Sequence, residues 1–144
     1  MSYVKVMMHA VWGTKKHIPI LVESVLQNLI QHIKENAKEK QIFIDTIHGV
    51  EDHIHCLFGL NADMSIAKTM QLIKGESAFW MNKEKLLKTK FECADEYFAV
   101  SVSESVVPKV RAYINNQAEH HKKKTWTKEY EEFMKSYNFS QFHG

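Results

Sequence analysis

In Ile42-Phe43-Ile44-Asp45-Thr46-Ile47-His48-Gly49-Val50-Glu51-Asp52-His53-Ile54-His55-Cys56-Leu57-Phe58-Gly59-Leu60, two β-prone runs flank a short polar pair. Ile42 to Val50 and His53 to Leu60 read as strands, and Glu51-Asp52 reads as the turn between them, which predicts an antiparallel hairpin. Inside the second strand, His53 and His55 stand one residue apart. Strand side chains alternate with period two, so both imidazoles lie on one face. Burying two imidazoles among apolar neighbours costs free energy unless each has a partner. A divalent metal is one such partner, and satisfied core or edge histidines are the other reading. The adjoining Asp52 carboxylate is placed to orient a ligating imidazole from behind.

Outward from the hairpin, the periodicities assign the other elements. Tyr3 to Trp12 is a β-prone first strand, followed by a basic loop from Gly13 to Pro19. Val22, Val25, Leu26, Leu29, Ile30, Ile33 and Ala37 form a helical stripe. After the hairpin, Asp63 or Ser65 is the N-cap candidate for a helix carrying Ile66, Met70, Ile73, Ser77 and Trp80, ending near Met81. Lys83 to Lys90 is a basic loop or a frayed helix end, and Tyr97 to Ser103 is a fourth strand. Ser103 or Ser105 can cap the next helix, with Pro108 tolerated in its first turn and Val107, Val110, Ile114 and Ala118 on its apolar side. Trp126 to Tyr137 is a last short amphipathic helix carrying Tyr130, Phe133 and Met134. The order β-α-β-β-α-β-α-α fits an α+β fold. It predicts an antiparallel sheet with helices packed on one face, of ferredoxin-like topology. The 144 residues, without repeats or a Pro/Gly linker, are expected to form a single domain over 1–144.

Charge is informative by its distribution. The net charge of +2 does not by itself demand a polyanion partner, but Lys109 to Lys128 holds six Lys or Arg against one acid, Glu119. The densest part is His120-His121-Lys122-Lys123-Lys124, followed by Trp126. A solvated helix end and a phosphate-contacting surface are equal readings of that tract. Cys56 and Cys93 do not make a disulfide framework, Met1-Ser2-Tyr3-Val4-Lys5 has no signal-peptide pattern, and no apolar run is long enough to span a bilayer. A cytoplasmic protein is the expectation.

The third helix carries Tyr113, Gln117 and His120 on a flank beside its apolar one. Residues four apart are rotated by about 40° and residues seven apart nearly coincide, because each turns about 100°. Plain solvent exposure is the favoured reading of such a flank, and a chemical site is the other.

These residues resemble the single-tyrosine HUH transposases (the IS-two-hundred group), small DNA-processing enzymes of simple bacterial insertion sequences. Asp52-His53-Ile54-His55 is similar to the family's His-hydrophobic-His motif. Met8-His9-Ala10-Val11-Trp12-Gly13-Thr14-Lys15 looks like its opening strand, and Gln71-Leu72-Ile73-Lys74-Gly75-Glu76-Ser77 like its central helix. Phe98 to Ser103 looks like its last strand, and Val110 to His121 like its nucleophile helix. One departure is Cys93-Ala94, where many members carry Trp-Gln.

The resemblance implies His53 and His55 as metal ligands, Gln117 as a third ligand and Tyr113 as nucleophile. Mg²⁺ or Mn²⁺ is the implied cofactor. The implied partner is single-stranded DNA with hairpin ends, and the implied assembly is a homodimer in which one subunit's tyrosine helix completes the other's histidine site. Asp52 and His120 are the second-layer or proton-transfer candidates. Lys15, Lys16, Arg111, Lys122, Lys123, Lys124 and Trp126 are the DNA-contact candidates, with Trp12 as an alternative stacking surface. The competing reading is a nucleic-acid-binding module on the same fold that has lost catalysis or been domesticated.

Overall fold

The computed structural model describes residues 2–117, 119 and 125–137, with Phe133 described by its backbone alone. The elements run β1 (Met7–Thr14), α1 (Glu23–Glu39), β2 (Phe43–Val50), β3 (His53–Gly59), α2 (Ile66–Lys83), β4 (Cys93–Val102), α3 (Val107–Asn115) and α4 (Trp126–Ser136). Four strands form one antiparallel sheet in the order β2-β3-β1-β4. The α+β fold and the hairpin are as expected. β1 begins four residues later than its propensity suggested, because Tyr3 to Val6 find no partner strand and are exposed. β4 begins four residues earlier, because Cys93 pairs with Thr14 across an irregularity after Trp12.

Alternation divides the sheet into two faces. Met8, Ala10, Trp12, Ile54, Cys56 and Phe58 point to the face covered by the crossover helices α1 and α2, where they meet Leu26, Leu29, Ile33, Met70 and Ile73. Those two helices sit on one face as expected, and Ser65 is the N-cap that acts, its Oγ accepting from Lys68 N at 3.0 Å. Met7 and Leu57 point the other way and pack on Val107 and Ile114 of α3. His9, His53 and His55 alternate onto this second face, beneath α3 and α4.

The Glu51-Asp52 turn uses no left-handed residue among the described ones. Its two carbonyls are instead tied down, Asp52 O accepting from Thr14 N and Glu51 O from Leu21 N, both at 2.9 Å. A Cβ on Gly49 would stand 2.5 Å from the backbone oxygen of His53, so only glycine permits the close approach of β2 to the start of β3. In β2 the register shifts between Ile44 and Thr46. Asp45, the residue bulged out there, makes a two-pronged ion pair with Arg111 of α3 at 2.9 and 2.8 Å. That pair fastens α3 to the sheet edge. Trp12 is only 2% exposed and lies in the core under α1 and α2, so the expectation that it stacks on bases is withdrawn.

Candidate active site

The second face brings together His53 and His55 from β3, Tyr113 from α3, Gln117 just beyond the C-cap Asn116 of α3, and Glu129 from α4. Both imidazoles and Gln117 are 0% exposed and Glu129 is 2% exposed. The Glu129 carboxylate lies at the centre. Its Oε2 stands 3.3 Å from His53 Nε2 and its Oε1 stands 3.0 Å from His55 Nε2. The phenol of Tyr113 donates a hydrogen bond to the same Oε1. Trp126, one turn before Glu129, stacks on His53 with ring centroids 4.2 Å apart and planes 20° from parallel. Its indole N–H donates to His17.

The outer nitrogens of the two imidazoles are held differently. His53 Nδ1 is bonded to Asp52 Oδ1 at 2.7 Å, as the sequence position of Asp52 suggested. His55 Nδ1 is bonded to His9 Nε2 at 2.9 Å. Burial pulls the His53 pKa down, but the Asp52 and Glu129 carboxylates outweigh it, and the net direction is upward. Burial pushes His55 down to about 3 and His9 down to about 4, against opposition from Glu129. His55 and His9 are therefore neutral at physiological pH, the state in which an imidazole can offer a lone pair. Burial first, and then the hydrogen bond to Glu129, raises the Tyr113 phenol well above its ordinary range.

These donors fit a divalent cation. Ligand nitrogens and oxygens of His53, His55 and Glu129 all lie within 4.8 Å of one another. The nitrogen–oxygen separations of 3.0 and 3.3 Å match neighbouring ligands on one ion. Bonds of about 2.1 Å at right angles put adjacent ligand atoms about 3 Å apart. Gln117 donates its Nε2–H to the Tyr113 carbonyl at 3.2 Å, while its buried Oε1 has no hydrogen-bond partner among the described residues. A buried acceptor left in that state costs about 1–3 kcal/mol, and a cation would satisfy it.

The remaining site candidates are dispersed. Lys15 is paired with Glu92 at 2.9 Å, Lys16 is exposed with φ 59°, and Arg111 is engaged with Asp45. Trp126 is 6% exposed against His53. His120, Lys122, Lys123 and Lys124 lie outside the described residues. Sequence reasoning missed Glu129 and His9. Glu129 had a legible signal: Trp126, Glu129, Tyr130 and Phe133 fall at the i, i+3, i+4, i+7 spacing of a buried stripe, where a carboxylate needs a partner. His9 stands between Met7 and Val11, at an inward position of β1.

Comparisons with known proteins identify the family and the fold. Residues 2–117 match the family described as IS200-like transposases. The chain is 26% identical over 115 residues to the ISDra2 transposase TnpA of Deinococcus radiodurans, covering 76% of this chain and 81% of that protein. It superposes with a TM-score of 0.66 and 25% identity on the crystal structure of a candidate transposase from Deinococcus radiodurans R1, covering 81% of this chain and 95% of that one. A REP-associated tyrosine transposase bound to a REP hairpin shares the fold, at a TM-score of 0.63 and 14% identity, over 84% of this chain and 72% of that one. With the family's match spanning the sheet, the histidine pair and the tyrosine helix, the chain belongs to the IS200-like transposase family.

Proposed function

We propose that this chain cleaves and rejoins single-stranded DNA through a 5′-phosphotyrosine intermediate, with one Mg²⁺ or Mn²⁺ held by His53, His55, Gln117 and Glu129. The observation that supports this reading best is the convergence of the half-buried Tyr113 phenol with two buried imidazoles around one buried carboxylate. When bound, the cation supplies Lewis-acid withdrawal of charge from a phosphate oxygen. The mixed nitrogen and oxygen donors suit Mn²⁺, and abundance in the cell favours Mg²⁺.

Tyr113 Oη attacks phosphorus, forming its O–P bond as the bond from phosphorus to the 3′-oxygen breaks. The phenol proton passes to Glu129, whose Oε1 already accepts its hydrogen bond, and the departing 3′-oxygen takes a proton from solvent. Rejoining reverses this: a 3′-hydroxyl attacks the phosphotyrosine and Tyr113 recovers its proton. The phosphodiester's energy is kept in the enzyme link, so no nucleotide triphosphate is consumed. Both imidazoles are covered by Trp126 and Glu129, so a phosphate reaches them only when α4 shifts outward.

Single-stranded DNA carrying the native flank of the gene, incubated with Mn²⁺, is expected to give a covalent protein–DNA adduct that is absent in Tyr113→Phe. No adduct from wild type on any native flank would overturn the reading in favour of a binding module. Within one chain Tyr113 stands beside Glu129 and the two histidines, and the resemblance implies sharing between the subunits of a homodimer. Mixing His53→Ala chains with Tyr113→Phe chains separates the two arrangements: adduct returns only if sites are completed across subunits.

A further inference from the structure

His9 is the partner through which β1 acts on the site. It pairs with Leu57 across the β1–β3 ladder and points to the same face as His55. Its Nε2 stands 2.9 Å from His55 Nδ1, and the two rings stack with centroids 5.2 Å apart and planes 28° from parallel. Both residues are buried.

A neutral imidazole carries one N–H, on either nitrogen. For His55 to turn a lone pair on Nε2 toward a cation, its proton must sit on Nδ1. A buried N–H needs an acceptor, and the fold supplies His9 Nε2. His9 must then carry its own proton on Nδ1. The two tautomers are locked together, and one choice follows from the other. At His53 the same task falls to Asp52, which as a carboxylate can only accept.

We infer that His9 is a positioning residue for the cation site, accepting the His55 Nδ1–H and so holding His55 in the tautomer that presents Nε2. This rests on the cation-dependent reading above and adds to it a residue that touches neither the cation nor DNA. An alanine- or leucine-type loss leaves the ring proton of His55 without its acceptor in the loaded state. Loss of such an outer partner costs about 10–100-fold in metal affinity.

Mn²⁺ titration calorimetry on wild type, His9→Leu, His9→Gln and His53→Ala tests this without reference to activity. Wild type is expected to show a saturable site, and His9→Leu to bind about 10–100-fold more weakly. His9→Gln, whose amide oxygen can accept the same N–H, is expected to recover most of the loss. In parallel, ¹⁵N spectra of the Mg²⁺-loaded wild type are expected to show coupling across the hydrogen bond between His55 Nδ1 and His9 Nε2. That measurement decides the matter if His9→Leu fails to fold.

Wild-type affinity in His9→Leu, with binding lost in His53→Ala, overturns the role of His9 and leaves the cation reading intact. Absence of the coupling in a loaded protein does the same. No saturable binding by wild type overturns the cation reading itself, and His9's role falls with it.

Discussion

Glu129 and Gln117 show how much chemistry a single polar atom carries once it is buried. Glu129 faces two imidazoles and a phenol at once, so the same carboxylate is both a ligand and a proton acceptor in the proposed reaction. Glu129→Gln keeps the volume but removes the charge. It is expected to weaken Mn²⁺ binding at least tenfold by calorimetry and to slow adduct formation by about 10²–10⁴. Gln117 makes the opposite demand. Its Oε1 is buried without a partner among the described residues, a cost that the metal-free protein bears. Gln117→Met removes that acceptor at similar volume, and also loses the amide's 3.2 Å bond to the Tyr113 carbonyl. The metal-free variant is expected to be more stable than wild type by about 1 kcal/mol in urea unfolding, while binding Mn²⁺ more weakly. Equal or lower stability, with unchanged affinity, would remove Gln117 from the site. Tyr113 and the two histidines were singled out by the family resemblance, because a His-x-His pair in a chain with nine histidines and a tyrosine on an amphipathic helix are each ordinary alone. Glu129 was not singled out: its place on the apolar stripe of the last helix signals that it needs a partner, but not which one.

At the scale of elements, the helix that carries Tyr113 is held by a flaw in a strand. The bulge in β2 turns Asp45 toward Arg111, and two parallel hydrogen bonds join β2 to α3 two residues before Tyr113. The hydrogen-bonded arginine beside Asp45 holds its carboxyl below the ordinary carboxylate range, with burial opposing. A depressed folded-state pKa means that the ion pair stabilises fully above the unfolded value of about 4 and is lost as pH falls through the lower folded value. Asp45→Asn is therefore expected to be less stable than wild type at neutral pH, with the difference closing in strong acid. Denaturant unfolding at the two extremes checks this, and a gap that persists in acid would assign the loss to packing instead. The ladder partners of β2 and β3 were readable from alternation and the polar turn. The bulge was not, because a register slip of one residue leaves the composition of a strand unchanged. The early start of β4 was hidden for a similar reason: Cys93-Ala94 has little β character of its own and is ordered by pairing beside Thr14. These two small residues also line a cavity of about 550 Å³ with Lys74 and Tyr97.

For the whole molecule, the sheet works as a partition. One face buries the apolar core under α1 and α2, and the other carries polar chemistry under α3 and α4. No helix among the described residues is long and apolar enough to cross a membrane. If single-stranded DNA is the ligand, its affinity is expected to fall as salt rises, with a log–log slope of about −0.7 for each phosphate contacted. Anisotropy titrations across ionic strengths measure this, and a flat profile would exclude a cationic track along the backbone. Lys15 and Arg111 already have carboxylate partners in the free protein, so each contributes to that slope only by exchanging an acid for a phosphate. The sequence by itself determined the strand and helix order, the hairpin, the shared face of His53 and His55 and the family likeness, because periodicity and local turn chemistry act over a few residues. Only the tertiary structure decided that Glu129 and His9 join the site, that Arg111 is tied to Asp45 and that Trp12 is lost to the core. Those outcomes depend on which faces of distant segments meet, and the meeting is set by packing across the sheet, not by any spacing along the chain.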